Sequence, residues 1–185
     1  MPLDFAFGIF ATIFANHYYG VDIFPFILIA LLFSVLPDLD FLIYKIFKIH
    51  PDKGYKHREL FHYPLIYLPV GFLLLLLFSK LMAFTFLIIS FLHFIHDSIT
   101  YGRGLRWLYP FSKNNYAFFY LYAQPKGLRK LIFIFRENEL EKFDKEYGDE
   151  NWIENIYYKL HPIAIFEFGV FLAALILLFY IYVNL

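Results

Sequence analysis

Long apolar runs separated by short polar stretches dominate the chain. They cover residues 5 to 15, 23 to 36, 64 to 78, 81 to 95 and 162 to 183. A helix that crosses a bilayer needs about 20 apolar residues, so only the last run has full length. Neighbouring helices can cover the ends of short spans, and we therefore predict five membrane-spanning helices. The first run is alternatively a half-inserted helix.

Positive charge is distributed unevenly between the two sides that alternate crossing creates. One side carries the N-terminus, residues 37 to 62 and residues 97 to 161, and it holds 15 of the 16 Lys and Arg residues. The other side holds only Lys80. Because Lys and Arg are enriched in cytoplasmic loops, the first side is predicted to be cytoplasmic.

Composition agrees with a membrane protein. Of the 185 residues, 61% are hydrophobic, whereas soluble domains average about 45–50%. The length fits one all-α helical bundle and excludes a large multidomain transporter. The chain has no cysteine, so a metal site would use His, Asp and Glu. The opening MPLDFAFGIF lacks the basic start and cleavage site of a signal peptide, so none is expected.

The segment before the last span mixes apolar and charged residues at helical spacing. We predict an amphipathic helix from about 127 to 146, ended by Gly148 and lying on the membrane surface. A solvated helix packed on the bundle, without a ligand of its own, is the alternative. The predicted organisation is a four-span bundle, a cytoplasmic amphipathic segment and a C-terminal transmembrane helix, over residues 1–112, 113–161 and 162–185.

Acidic and histidine residues gather where spans end on the predicted cytoplasmic side. PDLD follows the second span, HRELFH precedes the third and HFIHD closes the fourth. Ionisable groups at membrane depth are costly unless they are paired, hydrated or bound to metal, so such a cluster is a candidate functional site. Its members are Asp38, Asp40, His57, His62, His93, His96 and Asp97.

The spacing of these residues favours metal binding. His93 and Asp97 are four residues apart and share one helix face, with His96 on its flank. An extended or turn conformation after a proline could aim Asp38 and Asp40 the same way. Imidazole and carboxylate without thiolate suit Zn²⁺, Mn²⁺ or Fe²⁺, and the ligands suffice for one or two ions. The predicted ligands are Asp38, Asp40, His57, His62, His93 and Asp97.

Other polar residues have simpler explanations. Taken alone, His96 is well explained by a hydrogen bond to the backbone. His17 and His161 fit interfacial positions. Glu167 lies within the last span and is expected to pair inside the bundle or to be protonated, although a part in the site is an alternative.

The order of the motifs resembles the YdjM-type family of LexA-regulated, membrane-bound, metal-dependent hydrolases. That family has PDxD, then HRGxTHS, then HxxxDxxTxxG and a later tryptophan-proline stretch, and this chain has LPDLD, HRELFH, HFIHDSITYG and WLYP within residues 4 to 112. The resemblance assigns to the three motifs Asp38 and Asp40, then His57, Arg58 and His62, then His93, Asp97, Thr100 and Pro110. Departures from the family pattern are Glu59 for Gly, Phe61 for Thr and Tyr63 for Ser, and Asp4 stands near a position that is often His.

We therefore expect a membrane-embedded metal-dependent hydrolase of a phosphoester, such as a lipid head group, at the cytoplasmic boundary. Arg58 would bind the phosphate, helped by Arg103 or Arg106. His96 or Asp40 would act as a base beside the metal. The membrane lipid is the expected partner.

Two other classes of function stay open. The same ligands could hold or transport an ion without hydrolysing anything, or the cluster could stabilise a scaffold that binds a protein through residues 113 to 160. The chain has no HExxH, GxSxG, P-loop or DGxxAR pattern. Nucleic-acid binding is not expected, because residues 113 to 160 carry eight basic and eight acidic residues.

Overall fold

A computed structural model of the chain is mostly helical. It describes residues 2–47, 61–100, 103–119, 131–147, 149 and 151–184. The helices in these ranges are α1 (Pro2–Tyr19), α2 (Ile23–Val35), α3 (Leu39–Phe47), α4 (Pro64–Leu76), α5 (Lys80–Thr100), α6 (Glu137–Tyr147) and α7 (Pro162–Val183). Two short strands, β1 (Asn115–Phe118) and β2 (Ile132–Phe135), form an antiparallel pair, and a π-helical turn (Glu154–Tyr158) precedes α7.

Each of the five predicted spans corresponds to a helix. Helices α5 and α7 are long and apolar enough to cross a membrane. Helices α2 and α4 are equally apolar but have only 13 residues each. Large apolar side chains along α7 are exposed, which is the surface expected of a helix that faces lipid. Length and composition therefore support two spans, and five crossings stay a prediction.

The chain folds into two compact units. The first unit contains Met1–Leu36, Gly71–Leu92 and Asn151–Leu185, and the second contains Pro37–Val70 and His93–Glu150. Helices α4 and α5 each contribute residues to both units. The predicted division at residues 112 and 161 follows the order along the chain and stays a prediction.

Small residues allow close helix packing in the first unit. A Cβ atom on Gly8 of α1 would lie 3.1 Å from the carbonyl oxygen of Ala30 in α2. Ala6 of α1 and Ala174 of α7 are fully buried in one apolar cluster. Small side chains let helix backbones approach closely and gain van der Waals contact, which explains these residues.

The residues after α2 were predicted to form a loop, and part of this prediction is wrong. Helix α3 begins at Leu39, only four residues after α2 ends at Val35. Pro37 lies in the turn between the two helices, where a missing backbone N–H costs least. Asp40 occupies the first turn of α3, where the helix dipole favours a negative charge. His57 and Arg58 lie outside the described residues.

The predicted amphipathic helix over about 127 to 146 is wrong in its first part. Ile132–Phe135 form β2, and α6 begins only at Glu137. β-Branched and aromatic residues favour strands, and IFIF consists of nothing else. The Glu139 carboxylate accepts the backbone N–H of Arg136 at 2.8 Å and so caps the start of α6. Gly148, the predicted end of the helix, lies outside the described residues.

The β-hairpin requires a glycine beside it. Leu105 pairs with Tyr116 of β1 through two backbone hydrogen bonds of 3.1 and 2.8 Å. Gly104 has a φ of +62°, and a Cβ atom there would lie 1.9 Å from the Tyr116 carbonyl oxygen. No other amino acid fits this position without moving the strand.

Candidate metal centre

Helix α5 presents two of the predicted ligands on one face. His93 and Asp97 are one helical turn apart, and both are buried. His62, just before α4, and Asp38, in the turn between α2 and α3, come to the same place. One ligand atom from each of these four residues lies within 4.8 Å of the other three. All four belong to the second unit.

The distances between the ligand atoms suit a single ion. His62 Nε2 lies 3.3 Å from Asp97 Oδ2 and 3.7 Å from Asp38 Oδ1. His93 Nε2 lies 3.7 Å from Asp38 Oδ1 and 4.0 Å from Asp97 Oδ2. Ligands bound tetrahedrally at about 2.0–2.2 Å are about 3.3–3.6 Å apart, so the four atoms fit one ion after small movements.

Three of the four ligand side chains are buried, and the fourth is partly exposed. The side chains of His62, His93 and Asp97 are 0%, 1% and 9% exposed, whereas that of Asp38 is 26% exposed. Water or a substrate would therefore reach the group at Asp38. Four protein ligands fill a tetrahedral site, so a water or substrate atom would bind the ion as a fifth ligand or in place of the accessible Asp38 carboxylate.

Asp40 contacts the other ring nitrogen of His62. Its Oδ2 lies 2.7 Å from Nδ1, and both side chains are fully buried. Asp38 and Asp40 do not reach a common point as predicted, because Asp38 Oδ1 lies 3.7 Å from His62 Nε2 whereas Asp40 contacts Nδ1 on the other side of the ring. Asp40 is placed to orient the imidazole, as carboxylates commonly do for metal-binding histidines, and is not one of the four grouped ligands.

The carboxylates hold a proton on His62 when no metal is bound. Burial lowers the pKa of this imidazole, but contacts with Asp38, Asp40 and Asp97 raise it more, to about 10. A divalent cation would supply the positive charge that the proton otherwise provides. Metal binding at this group must therefore release that proton.

An aromatic framework supports the two histidines. The Phe94 ring lies 5.9 Å from the ring of His62 and 5.8 Å from that of His93. Trp107 Nε1 donates a hydrogen bond of 2.9 Å to Ser98 Oγ, which in turn donates to the Phe94 carbonyl oxygen at 2.7 Å. The tryptophan of the WLYP stretch therefore braces α5 next to Asp97.

This framework was not predicted from the sequence. Spacing within HFIHDS gives no sign that Ser98 and Trp107 pair, because the two residues lie in different elements. The family pattern, with its tryptophan-proline stretch after the third motif, was the available signal. Tyr63 also stacks on Tyr109 of this stretch, with ring centroids 4.2 Å apart.

The other candidate site residues of the second unit differ in burial and in their contacts. His96 is buried, 4% exposed, but is not in the four-residue group. Arg106 donates to Glu137 of α6 at 3.1 Å, so its guanidinium already has an acidic partner there. Arg103 is half-buried. His57 and Arg58, being outside the described residues, keep their roles as predictions.

Glu167 and His161 each have a hydrogen-bond partner within the first unit. Glu167 of α7 is buried and accepts a hydrogen bond from the Tyr157 hydroxyl at 3.0 Å, in agreement with the pairing expected for it. The His161 side chain accepts the backbone N–H of Ile163 at 3.3 Å, at the start of α7. Asp4, in the first turn of α1, is buried in the same unit.

Comparison with known proteins identifies the family. A family model described as YdjM inner membrane protein matches residues 4–185. No curated protein and no solved structure matches the chain. The family match continues through α7, well past the motifs that end near residue 112. It covers nearly the whole chain and confirms the resemblance seen in the motifs, so this protein belongs to the YdjM inner membrane protein family.

Proposed function

We propose that the protein is a membrane-embedded, metal-dependent hydrolase of phosphoesters. One observation carries this proposal: two imidazoles and two carboxylates from three parts of the chain converge within 4.8 Å, with three ligands buried and one accessible. Burying this many ionisable groups together is costly, and proteins accept that cost mainly at functional sites.

Asp38, His62, His93 and Asp97 would hold the ion. A divalent metal there would lower the pKa of a bound water and polarise a phosphoryl oxygen. Asp40 would keep His62 Nε2 directed at the ion through its 2.7 Å contact with Nδ1. Zn²⁺, Mn²⁺ and Fe²⁺ all suit this donor set, and a second ion would require further ligands such as His57.

The substrate we propose is a phosphoester of a lipid or another amphiphile. The ligands lie at the ends of apolar helices in a member of an inner membrane protein family, where lipid head groups are abundant. Arg58 is proposed to bind the phosphate, since guanidinium groups match phosphate oxygens in charge and shape. His96, buried next to a ligand in sequence, is proposed to accept a proton.

We further propose that α1, α2, α4, α5 and α7 all cross the membrane and that the metal centre faces the cytoplasm. A 13-residue helix is about 20 Å long, so α2 and α4 would need local thinning of the bilayer or cover from neighbouring helices. The excess of Lys and Arg on the side of the site supports the cytoplasmic orientation.

Metal analysis of detergent-purified protein tests the proposal. The wild type is compared with the His93→Ala, Asp97→Ala double variant and with His17→Ala, which removes a histidine of the first unit. Each is loaded with Zn²⁺, Mn²⁺ or Fe²⁺, desalted and measured by mass spectrometry. We expect stoichiometric metal in the wild type and His17→Ala and loss in the double variant.

Hydrolysis assays on a panel of phospholipids and soluble phosphoesters then distinguish a hydrolase from a protein that only binds or transports metal. Activity that depends on metal and disappears in the double variant supports the hydrolase. Stoichiometric metal without hydrolysis of any phosphoester would favour a metal-binding or metal-transporting protein. A wild type that takes up none of the three metals would remove the metal centre itself.

A further inference from the structure

Three of the four grouped metal ligands lie where helices begin or end. His62 comes two residues before α4 begins at Pro64, Asp38 lies in the turn between α2 and α3, and Asp97 is three residues from the end of α5. Helix ends fray more readily than helix centres. A metal site needs its ligands held to within about 0.5 Å of their working positions, so these ligands need support from contacts outside their own helices.

Residues 104–119 and 131–147 form a connected part of the second unit, which we call the hairpin module. It contains the loop after α5, the two strands and α6, and it carries none of the four grouped ligands. Phe133 of β2 and Phe143 of α6 share a buried apolar cluster with Ala117 of β1. The sheet and the helix therefore hold each other in place.

The loop at the start of the hairpin module is fixed to the strands and to α6. Leu105 forms two backbone hydrogen bonds, of 3.1 and 2.8 Å, with Tyr116 of β1. The guanidinium of Arg106, the next residue, donates a hydrogen bond of 3.1 Å to the Glu137 carboxylate of α6. Side chains that follow in this loop therefore start from a backbone that is tied to the rest of the module.

Trp107 extends from this loop to α5. Its Nε1 donates a hydrogen bond of 2.9 Å to the hydroxyl of Ser98, which is fully buried. Its ring lies 6.5 Å from the ring of Phe94, nearly perpendicular to it at 79°, and 5.7 Å from that of Phe118 in β1. Ser98 and Phe94 each directly follow a ligand of α5 in the sequence. Trp107 therefore links β1 to the part of α5 that presents two ligands.

Tyr109 makes a similar link to the segment that carries His62. Its ring stacks on that of Tyr63, with centroids 4.2 Å apart and planes inclined by 21°. Tyr63 directly follows His62, and its carbonyl oxygen accepts the backbone N–H groups of Ile66 and Tyr67 at 2.9 and 2.8 Å. Tyr63 therefore belongs to the start of α4, and the stacked ring of Tyr109 restrains this start next to the ligand.

We propose that Trp107 and Tyr109 are positioning residues of the metal centre, through which the hairpin module holds the ligands of α5 and His62 in place. Neither side chain binds the ion. Trp107 acts through the last turns of α5, and Tyr109 acts through Tyr63. This inference rests on the metal centre proposed above but not on hydrolysis. It gives the module a part in metal affinity although the module supplies none of the four ligands.

Zinc affinity of the full-length protein in detergent, measured by competition with a chromophoric chelator, tests the role of Trp107. Trp107→Phe keeps an aromatic ring but loses the N–H group, and we expect the Kd for Zn²⁺ to rise about 10-fold, as when other groups that orient metal ligands are lost. Trp152→Phe is the matched control, because Trp152 is the other of the chain's two tryptophans and belongs to the first unit. Its Kd should equal that of the wild type.

A double-mutant cycle shows whether Trp107 acts through Ser98. Ser98→Ala alone should raise the Kd for Zn²⁺ by a factor similar to that of Trp107→Phe. Adding Trp107→Phe to Ser98→Ala should then change the Kd little, because the hydrogen bond is already gone. Effects that simply multiply would overturn the route through Ser98.

Two substitutions of Tyr109 test the second link. Tyr109→Phe keeps the stacked ring and should keep the wild-type Kd, whereas Tyr109→Leu removes the ring and should raise the Kd about 10-fold. The visible absorption of bound Co²⁺ depends on the arrangement of its ligands. We expect this spectrum to change in Tyr109→Leu and in Trp107→Phe but not in Tyr109→Phe.

A further variant separates positioning from a general loss of stability. Phe33 is buried in the first unit, where its ring contacts that of Phe86 at 5.4 Å. Phe33→Leu should lower the Tm but leave the Kd for Zn²⁺ and the Co²⁺ spectrum unchanged. An equal rise of the Kd in Phe33→Leu would mean that the Kd reports stability alone, and this would overturn the proposal.

The remaining outcomes distinguish this inference from the metal centre itself. Wild-type Kd and spectrum in both Trp107→Phe and Tyr109→Leu would overturn the inference and leave the metal centre intact. A change in only one of these two variants would remove the role of the other residue. A wild type that binds neither Zn²⁺ nor Co²⁺ would contradict the metal centre, and this inference with it.

Discussion

The carboxylate of Asp40 contacts His62 Nδ1 at 2.7 Å, while the opposite nitrogen of the same ring faces Asp38 and Asp97. Asp40 and His62 are both fully buried, so this contact is not weakened by water. A histidine that donates to a carboxylate through one nitrogen is fixed in orientation and offers the other nitrogen to a metal. Asp40 therefore acts on the centre through His62.

Removal of Asp40 should weaken metal binding without abolishing it. We expect Asp40→Ala to raise the metal Kd by about 10–100-fold, the usual effect of losing a group that orients a ligand. Asp97→Ala, which removes one of the four ligands, should leave no measurable site. Competition with a fluorescent chelator measures both. If Asp40→Ala loses metal as completely as Asp97→Ala, Asp40 binds the ion directly.

Proton release gives the metal affinity a defined pH dependence. The pKa of His62 is about 10 in the folded protein, so below that pH the metal must displace one proton. The apparent affinity should rise about tenfold per pH unit between pH 7 and 9. Calorimetric titration in two buffers of different ionisation enthalpy counts the protons. Affinity that is constant across this range would contradict a proton on His62.

The metal-free protein should show the opposite trend in stability. The pKa of His62 rises from 6.5 to about 10 on folding, so the folded state holds the proton more tightly than the unfolded state. This contribution is complete below pH 6.5 and is lost as the pH rises toward 10. Thermal unfolding in detergent with a chelator should therefore give a lower Tm at pH 9 than at pH 7. His62→Gln should lose most of that difference.

Helix positions in this protein could be predicted because long apolar runs have few alternatives. The five predicted spans correspond to α1, α2, α4, α5 and α7, with ends that differ by a few residues. A short apolar stretch with charged neighbours fits either a helix or a strand. Residues 132–135 fit a helical pattern with their charged neighbours, yet their β-branched and aromatic side chains pair with β1 instead.

Local spacing predicts how two of the four ligands are arranged, but it does not predict the arrangement of the rest of the metal centre. His93 and Asp97 share a face on any helix, so their pairing was predictable. The different roles of Asp38 and Asp40 depend on where α3 begins, because Asp38 lies in the turn before the helix and Asp40 in its first turn. The bracing of α5 by Trp107 depends on tertiary packing, which no spacing rule encodes.

Gly104 should be essential to the fold around the β-hairpin. In Gly104→Ala the new Cβ would lie 1.9 Å from the Tyr116 carbonyl oxygen, so β1 would have to move. Gly20 is the matched control, since it has nearly the same φ, +63°, but no atom within 4 Å of its Cβ position. Gly20→Ala should cost about 1 kcal/mol from backbone strain alone.

We expect Gly104→Ala to lower the Tm of the detergent-solubilised protein several times more than Gly20→Ala. The hairpin and its contacts with Leu105 should also become susceptible to proteolysis. Equal shifts in Tm for the two variants would show that the close approach of Gly104 to Tyr116 is not maintained in solution.

Arg58 and Arg106 should separate phosphate binding from metal binding. Arg58→Ala is expected to keep stoichiometric metal but to lose about 10²–10³-fold in kcat, because a positive charge that stabilises the transferring phosphoryl group is gone. Arg106→Ala should keep both metal and activity, since its guanidinium is paired with Glu137 at 3.1 Å. Metal content and phosphoester turnover are measured on the same preparations. Loss of metal in Arg58→Ala would assign this residue to the metal centre, and loss of activity in Arg106→Ala would mean that Arg106 leaves Glu137 to bind the substrate.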